Sequence, residues 1–522
     1  MSRFDHDDSD VVVIVGSGAG GGTLANELCQ KGIRTVVLEA GPHLTGADYH
    51  NDEWQAFAQM AWTDPRTASG SWQVARDFPN LPAWIVKAVG GTSTHWAGAC
   101  PRFKPHEFTT RSVYGDLDGA TLLDWPIGPA DLAPYYDRAE IKMGVTHVQG
   151  RPPLPANNNY KVFANGARKV GYTRVATGPY ATNAEPYDGR PASIQDGFNF
   201  QGDKNGSKWS TLVAELPKAE RTGNLDLRPD SHVVQILHDG RGRADGVLYV
   251  DGEGVLRRQR ASVVCVAGNS IETPRLLLLS ASALFPDGLA NSSGQVGRNY
   301  MRHTTATVWG QYDKPVNMHR GETMAGVIAD ESRLDTDRGF VGGYYMETIS
   351  LGPAFFSSFV VPGSWGPDLA MYLDDYRNTA GMWVIGEDMP QEGNRITLNT
   401  SVTDAHGLPV ADVHFDDHPN DIAMREHGKA AGAAVYEAVG AKRIIQTPPY
   451  PSTHNLGTSR MSERPEDGVV DRFGRAHDVP NLFVSDGSQF TTGAGANPTL
   501  TIVALAIRQA EYIAGEYRAS VA

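Results

Sequence analysis

A glycine-rich turn between two strand-like segments dominates residues 11–42 of this 522-residue chain. Residues 11–15, VVVIV, form a continuous β-branched run, which is typical of a strand buried on both faces. A G-x-G-x-x-G spacing follows directly and is made by Gly16, Gly18 and Gly21. The first glycine permits a tight turn, the second lets the backbone approach a pyrophosphate, and the third lets the following helix pack closely against the strand.

An acidic residue completes this motif. The pattern predicts a helix over residues 19–31, whose N-terminal N–H groups would face the phosphates, and a second strand over residues 35–38. Glu39 follows that strand at the distance expected for a carboxylate that binds ribose hydroxyls. The stretch therefore predicts a dinucleotide site, and by itself it leaves FAD and NAD(P) both open.

The composition narrows the classes of partner. A formal net charge of −14 argues against nucleic acid and against anionic membrane surfaces. The three cysteines, Cys29, Cys100 and Cys265, are too widely spaced for a disulfide framework, a zinc site or an iron–sulfur ligand set. No apolar run approaches the ~18 residues of a membrane span, and the first ten residues lack the features of a secretory signal. We therefore expect a cytoplasmic protein that binds no metal.

Two further regions predict an α/β fold with a second, sheet-based domain. Residues 261–267 read as a buried strand that leads through Gly268 into a helix over residues 270–279, which indicates the far side of the same doubly wound sheet. Residues 304–450 read mostly as strands and loops with many aromatic side chains, which favours a substrate-binding domain.

Two loop-rich segments are candidates to cover a site. Residues 43–81 begin directly after the ribose-binding acid, so we expect them to cross over the cofactor. Residues 352–367 are bounded by glycine and proline and carry aromatic side chains that we expect to be exposed. This second segment is interpreted either as a mobile lid or as a well-packed loop.

The C-terminal region predicts a second helix that begins at a ligand. Residues 481–484 form a short apolar strand that ends near Asp486, and a glycine-rich loop follows. Asn497 and Pro498 are strong signals for a helix start, with proline at the first helical position. The positive end of this helix would favour the negative charge of a reduced flavin.

Taken in order, these motifs resemble those of the glucose–methanol–choline (GMC) flavoprotein oxidoreductases over the whole chain. Besides the N-terminal fingerprint, the likeness rests on GGTSTHW at 90–96, the Val233-Val234 pair, ETPRLLL at 272–278, VGR at 296–298, the segment around His454 and GANPTL at 495–500. Within the family, the STHW tetrad looks most like pyranose oxidase and the bacterial glycoside 3-oxidases related to it.

The resemblance implies FAD as the cofactor and assigns roles to particular residues. His454 matches the general base, and Asn497 matches the side chain that holds the substrate oxygen. The histidine that matches His95 carries a covalent flavin bond in pyranose oxidase, so His95 is a candidate attachment site, and covalent and non-covalent FAD both stay open. The other cofactor-binding residues that the resemblance implies are Gly91, Thr92, Trp96, Val234, Asp486, Pro498 and Thr499.

The resemblance also implies a reaction. We expect FAD-dependent oxidation of a secondary hydroxyl, at C3 or C2 of a pyranose or glycoside, to a keto-sugar, with hydride transfer to flavin N5 and with O2 or a quinone as the electron acceptor. C3 is favoured by analogy with the glycoside 3-oxidases. The alternatives are a quinone- or cytochrome-linked sugar or polyol dehydrogenase and, in another class, a non-catalytic flavin-binding subunit.

The motifs divide the chain into two interleaved domains. The FAD-binding domain is expected to comprise residues 1–45, 82–140, 205–303 and 455–522. Residues 46–81, 141–204 and 304–454 are expected to form the substrate-binding domain and its loops.

Overall fold

The computed structural model describes residues 3–71, 83–197 and 199–521. The predicted crossing of residues 43–81 over the cofactor falls partly on residues 72–81, which lie outside the described residues. The three cysteines are buried and unpaired in this structure.

The strands, in chain order, are β1 (Val12–Val15), β2 (Thr35–Leu38), β3 (Ala61–Trp62), β4 (Ala68–Ser69), β5 (Trp84–Ile85), β6 (Val175–Ala176), β7 (Leu225–Arg228), β8 (His232–His238), β9 (Ala244–Val250), β10 (Leu256–Arg260), β11 (Val263–Val266), β12 (Thr304–Gln311), β13 (Val327–Ile328), β14 (Tyr344–Thr348), β15 (Thr379–Gly386), β16 (Arg395–Thr403), β17 (Pro409–His414), β18 (Arg443–Gln446) and β19 (Leu482–Val484).

The α-helices, in chain order, are α1 (Ala19–Gln30), α2 (Glu53–Gln59), α3 (Thr110–Tyr114), α4 (Pro129–Met143), α5 (Asn158–Lys169), α6 (Leu216–Arg221), α7 (Asn269–Leu279), α8 (Pro353–Phe355), α9 (Gly366–Asp374), α10 (Pro419–Glu437) and α11 (Thr499–Val521).

A five-stranded parallel sheet, ordered β19-β11-β1-β2-β7, forms the first half of the fold. Strand β1 is buried on both faces: Val13 packs with Val36 in one core cluster, and Ile14 packs with Val37 in the other. Helices cover the faces of such a sheet because every strand carries apolar side chains on both sides. The predicted doubly wound α/β domain is confirmed.

A six-stranded antiparallel sheet, ordered β18-β12-β15-β14-β13-β6, forms the second half. Its long central strands β12 and β15 are buried throughout. The expected second domain built on a sheet is therefore present, and smaller sheets flank it: β8-β9-β10, β16-β17-β4 and β3-β5.

Helix α10 was not predicted within this second half, which we expected to be mostly strands and loops. The helix packs both large apolar residues, among them Met424 and Tyr436, and small residues against the sheet. A Cβ atom at Gly428 would lie 2.5 Å from Val384, and one at Gly432 would lie 2.8 Å from Met382. Because glycines occupy the two positions between Met424 and Tyr436 at four-residue spacing, the face carries less of the hydrophobic periodicity by which a helix is recognised.

Candidate active site

A large cavity lies at the carboxyl ends of the parallel strands. The residue that follows β1 is Gly16, and those near the ends of β2, β11 and β19 are Glu39, Gly268 and Asp486; all four line the cavity. The cavity holds about 1650 Å³ of empty space, including the part open to solvent. Ligands of open α/β sheets bind at this edge, where helix N-termini and loops converge.

Two glycine turns meet in one wall of this cavity. Gly18 is the N-cap of α1, and neither a capping side chain nor an acidic residue in the first turn neutralises the helix N-terminus. A Cβ atom at Gly91 would lie 2.9 Å from the Cα atom of Gly18, so only glycine allows the two backbones to approach this closely. Free N–H groups on a bare backbone wall suit a pyrophosphate.

Gly21 does not line the cavity. A Cβ atom there would lie 2.2 Å from the carbonyl oxygen of Gly16, so this glycine lets α1 pack against the turn, in the role that the sequence indicated.

The carboxylate of Glu39 is held at the cavity by hydrogen bonds from Ser17 and Gly41. Its Oε2 accepts hydrogen bonds from the Ser17 backbone N–H (3.0 Å) and hydroxyl (2.7 Å), and its Oε1 accepts one from the Gly41 N–H. Burial raises the pKa of Glu39. The remaining lone pairs of the two oxygens can accept hydrogen bonds from ribose hydroxyls.

A second helix N-terminus reaches the cavity from the end of the chain. Asn497, Pro498 and Thr499 all line it. Helix α11 begins at Thr499, one residue later than expected, and the Pro498 carbonyl accepts the first helical hydrogen bond from Ile502. Two helix N-termini therefore point at one cavity, which suits a ligand with negative charge at two places.

Asp486 joins two strand ends beside this cavity. Its Oδ2 accepts hydrogen bonds from the Asn269 N–H (2.8 Å) and the Thr273 hydroxyl (2.6 Å) at the start of α7, and its Oδ1 accepts from the N–H and hydroxyl of Ser488. The carboxylate thus fixes the ends of β11 and β19 relative to each other.

His454 lies in the wall of the cavity beside a second histidine. Its Nδ1 is 3.0 Å from Nδ1 of His303, and Nε2 of His303 is 3.0 Å from the carbonyl oxygen of Gly493. The ring of Trp383 lies 5.4 Å from that of His454. Desolvation lowers the pKa of His303 to about 4 and that of His454 well below its usual range. Both imidazoles are therefore neutral near pH 7, as a proton acceptor must be.

Asn497 points its amide into a buried polar contact. Its Nδ2 donates to Oε2 of Glu347 at 3.3 Å, while its Oδ1 is buried with no hydrogen-bond partner among the described residues. Burial raises the pKa of Glu347 to about 7. An unpaired polar atom in the wall of a ligand cavity costs stability until a ligand satisfies it, so this arrangement fits a bound polar group.

A smaller cavity of about 390 Å³ adjoins the first on the side of His454. The two cavities share Phe200, Trp383 and Thr453. The other walls of the smaller cavity are mostly apolar: Met60, Trp84, Ile349, Phe355, Tyr450 and Pro451. Hydroxyls and indole N–H groups are therefore the only polar side-chain groups that the described residues offer there.

Residues 352–367 help to close this smaller cavity as a packed segment. Phe355, Phe356 and Phe359 are buried, and the Phe355 ring stacks on Phe57 at 4.1 Å. The expectation that the aromatic side chains of this segment are exposed is wrong for these three, and it holds for Trp365, which is 82% exposed. The segment is therefore well packed and partly helical, because α8 and the first residues of α9 lie within it.

Val234 is one predicted cofactor residue that the structure places elsewhere. Its neighbour Val233 lines the large cavity, whereas Val234 does not. Residues 231–233 line the cavity in succession, and Val234 lies just beyond them, where the register between β8 and β9 shifts.

His95 also lies outside the lining of the cavity, although Gly91, Thr92 and Trp96 of the same segment belong to it. Its Nε2 is 2.9 Å from Oε1 of Gln59, and its Nδ1 is 2.8 Å from the Thr94 hydroxyl. Both ring nitrogens are thus engaged within the protein, and the side chain is fully buried. This geometry does not present His95 to a flavin.

Three residues of the site were missed by the sequence reasoning: His303, Glu347 and Trp383. Trp383 was noted only as one of many aromatic residues. A signal for Glu347 was available, because it is a lone carboxylate inside the apolar strand YYMET, and buried carboxylates are rare without a role. No local signal pairs residue 303 with residue 454.

No helix within the described residues is both long and apolar enough to cross a membrane.

Comparison with known proteins places the chain in a family. Models described as GMC oxidoreductase match residues 70–305 and 390–506, and one described as an NAD(P)-binding Rossmann-like domain matches residues 14–63. The 2-methyl-1,2-propanediol dehydrogenase of Mycolicibacterium austroafricanum is 35% identical, with 98% of this chain and 96% of that protein covered. The C-glycoside 3-oxidase of Arthrobacter globiformis is 26% identical, with 97% and 95% covered.

A solved structure agrees with this likeness at the level of the fold. The pyridoxine 4-oxidase from Mesorbium loti matches with a TM-score of 0.69 and 18% identity, over 96% of this chain and 98% of that one.

The chain belongs to the GMC oxidoreductase family. The predictions of an FAD-dependent oxidoreductase that acts on CH–OH donors, and of relatives among the glycoside 3-oxidases, are confirmed.

Proposed function

We propose that this chain oxidises the CH–OH group of a small, partly apolar alcohol or vicinal diol to a carbonyl. The observation that carries the proposal is the smaller cavity beside His454, whose walls are mostly aromatic and aliphatic side chains. The electron acceptor is O2 or a quinone, as expected from the sequence.

The chain supplies a residue to accept the proton and a residue to hold the oxygen. The neutral imidazole of His454 accepts the hydroxyl proton, which contributes on the order of 10²–10⁴-fold to the rate. The amide of Asn497 holds the oxygen while the C–O bond becomes a carbonyl. Bound FAD supplies the acceptor for the hydride that leaves the same carbon. The glycine wall at Gly18 and Gly91, Glu39 and the start of α11 would hold the cofactor.

The apolar walls favour a substrate with few hydroxyls. Each hydroxyl that is buried without a partner costs roughly 1–3 kcal/mol. A pyranose would bring several hydroxyls against Met60, Ile349 and Phe355, whose side chains offer no hydrogen bond to them. The printed name of the relative with 35% identity supports the same substrate class, because 2-methyl-1,2-propanediol is a branched vicinal diol.

A secondary hydroxyl at C3 or C2 of a pyranose or glycoside is the second candidate substrate. The name of the C-glycoside 3-oxidase relative favours it. The aromatic faces of Trp84 and Trp383 favour it as well, because they can pack against the apolar face of a sugar ring.

The proposal is tested by anaerobic flavin reduction. The FAD-loaded enzyme is mixed with branched and linear 1,2-diols, the matching monoalcohols, pyranoses and glycosides, and bleaching of the flavin is followed by stopped flow. We expect the diols to reduce the flavin with a higher kcat/KM than any sugar. If a glycoside gives the highest kcat/KM, the sugar or glycoside substrate replaces the diol. If no compound bleaches the flavin, the result indicates a non-catalytic flavin-binding subunit.

The role of His454 is tested with His454→Ala and, as a matched control, His406→Ala at the exposed position 406. We expect both variants to retain FAD and only the first to lose flavin reduction, by orders of magnitude. Near-normal reduction in His454→Ala would refute the assignment of the base. Repeating turnover with O2 and then with a quinone distinguishes the acceptors, because an oxidase releases peroxide.

A further inference from the structure

Three groups form an uninterrupted hydrogen-bonded chain behind the proposed base. The Gly493 carbonyl lies 3.0 Å from Nε2 of His303, and Nδ1 of His303 lies 3.0 Å from Nδ1 of His454. A carbonyl oxygen can only accept a hydrogen bond, so Nε2 of His303 must carry the proton. In a neutral imidazole the other nitrogen is then an acceptor.

The protonation of His454 follows from this chain. Since Nδ1 of His303 accepts, Nδ1 of His454 must donate, and the lone pair of His454 is left on Nε2. We infer that His303 is a positioning residue that holds His454 in the tautomer with a free Nε2, the nitrogen that takes the substrate proton. This inference rests on the proposed role of His454 as the base.

The backbone places the two histidines opposite each other. Met301 and Leu456 form an antiparallel bridge, with N–H to carbonyl distances of 3.0 and 2.8 Å. His303 is two residues beyond one partner and His454 is two residues before the other, so the bridge brings the two residues close together.

The backbone of His303 is itself held in an uncommon conformation. Its φ is +66°, in the left-handed region that non-glycine residues seldom adopt. The carboxylate of Asp388 accepts a hydrogen bond from the neighbouring Arg302 N–H at 2.7 Å and thereby supports this turn. Strain of this kind persists where the surroundings over-determine it, often at sites of function.

Without His303, the tautomer of His454 would no longer be fixed. A free neutral imidazole prefers its proton on Nε2, the nitrogen that must be empty for general-base catalysis. A base held in the wrong tautomer can lose as much as ~10⁴-fold in rate while the site keeps its geometry. The loss is expected in the chemical step rather than in substrate binding.

The test compares two substitutions of equal size, His303→Asn and His303→Leu. Asparagine can place a carbonyl oxygen near the former Nδ1 and accept the proton of His454, whereas leucine has the same shape and no acceptor. We expect the leucine variant to reduce flavin at least ~10²-fold more slowly, with a substrate Kd within about threefold of the wild type. The asparagine variant should recover at least tenfold of that loss. Equal rates in the two variants would overturn the inference.

A direct measurement covers the case in which a variant fails to fold. In wild-type enzyme labelled with 15N-histidine, and assigned by difference from His454→Ala, NMR should show a protonated Nδ1 and an unprotonated Nε2 for His454. The reverse pattern would refute the inference. These outcomes are separable from the proposed function, which is tested by the substrate panel, and from the role of His454 as the base, which fails if His454→Ala itself reduces flavin at a near-normal rate.

Discussion

Replacement of Trp383 by phenylalanine is the sharpest test of the diol proposal. Trp383 lines both cavities, and its ring lies 5.4 Å from that of His454. Its indole N–H is buried with no hydrogen-bond partner among the described residues. An alcohol whose reacting oxygen contacts His454 would bring a neighbouring oxygen toward this tryptophan. We therefore expect the indole N–H to bind the second hydroxyl of a vicinal diol.

The magnitude follows from the cost of one hydrogen bond. Phenylalanine keeps an aromatic face but removes the donor, which is worth about 0.5–1.5 kcal/mol for an ordinary bond. If the second hydroxyl is left unsatisfied in the closed site, the cost rises to about 1–3 kcal/mol, or roughly 5- to 150-fold in kcat/KM. A monoalcohol of the same carbon skeleton has no second hydroxyl that could bind Trp383, so its kcat/KM should change much less.

The assay is anaerobic flavin reduction with a 1,2-diol and its matching monoalcohol, in wild type, Trp383→Phe and Trp84→Phe. Trp84 lines only the smaller cavity, so its variant controls for the loss of ring volume. The quantity compared is the ratio of kcat/KM values for diol and monoalcohol. The reasoning is refuted if Trp383→Phe leaves this ratio unchanged, or if Trp84→Phe lowers it equally.

Three further predictions concern the base and the cofactor. Because the pKa of His454 is lowered well below 6.5, the base stays neutral as the pH falls toward 6.5. The rate of flavin reduction should therefore stay constant through pH 6.5 and decline only at more acid pH. A decline centred at pH 6.5 in a stopped-flow pH series would contradict this. Because both ring nitrogens of His95 are engaged, acid precipitation should leave FAD in the supernatant, and yellow colour in the pellet would show a covalent bond. Gly91→Ala should weaken FAD retention in gel filtration roughly tenfold by crowding Gly18, whereas Gly32→Ala, at another positive φ but with open space, should not.

The parts of the site that the sequence could predict are those encoded by local spacing. Gly16 lies in a turn where a Cβ atom would be 2.4 Å from the Ala267 carbonyl oxygen, and Glu39 directly follows the next strand, so both can be recognised from a few neighbours. Asn497 and Pro498 predict a helix start in the same way, and the observed helix begins one residue later, at Thr499. Such signals need no knowledge of distant partners.

The parts that could not be predicted arise from pairing between distant strands. Glu347 and Trp383 face each other in the β14–β15 register, and this pairing brings one to Asn497 and the other to His454. The register is set by many side chains together, and a shift of one residue would turn both away from the site. Val234 also depends on strand pairing, because it lies where the register between β8 and β9 shifts, just beyond the residues that line the cavity.

An alcohol oxidation transfers a hydride and a proton, and the site provides a different electrostatic environment for each. The positive start of α11 would favour the negative charge that the hydride acceptor gains, whereas the start of α1 suits the pyrophosphate. The proton acceptor lies against Trp383 and a second neutral histidine, where desolvation keeps the imidazole uncharged. Among the described residues no carboxylate is hydrogen-bonded to either histidine ring, and Glu347 contacts Asn497 instead. His454 is therefore a weak base whose effectiveness depends on position and tautomer, which is why the acceptor nitrogen of His303 is expected to matter more than any charge nearby.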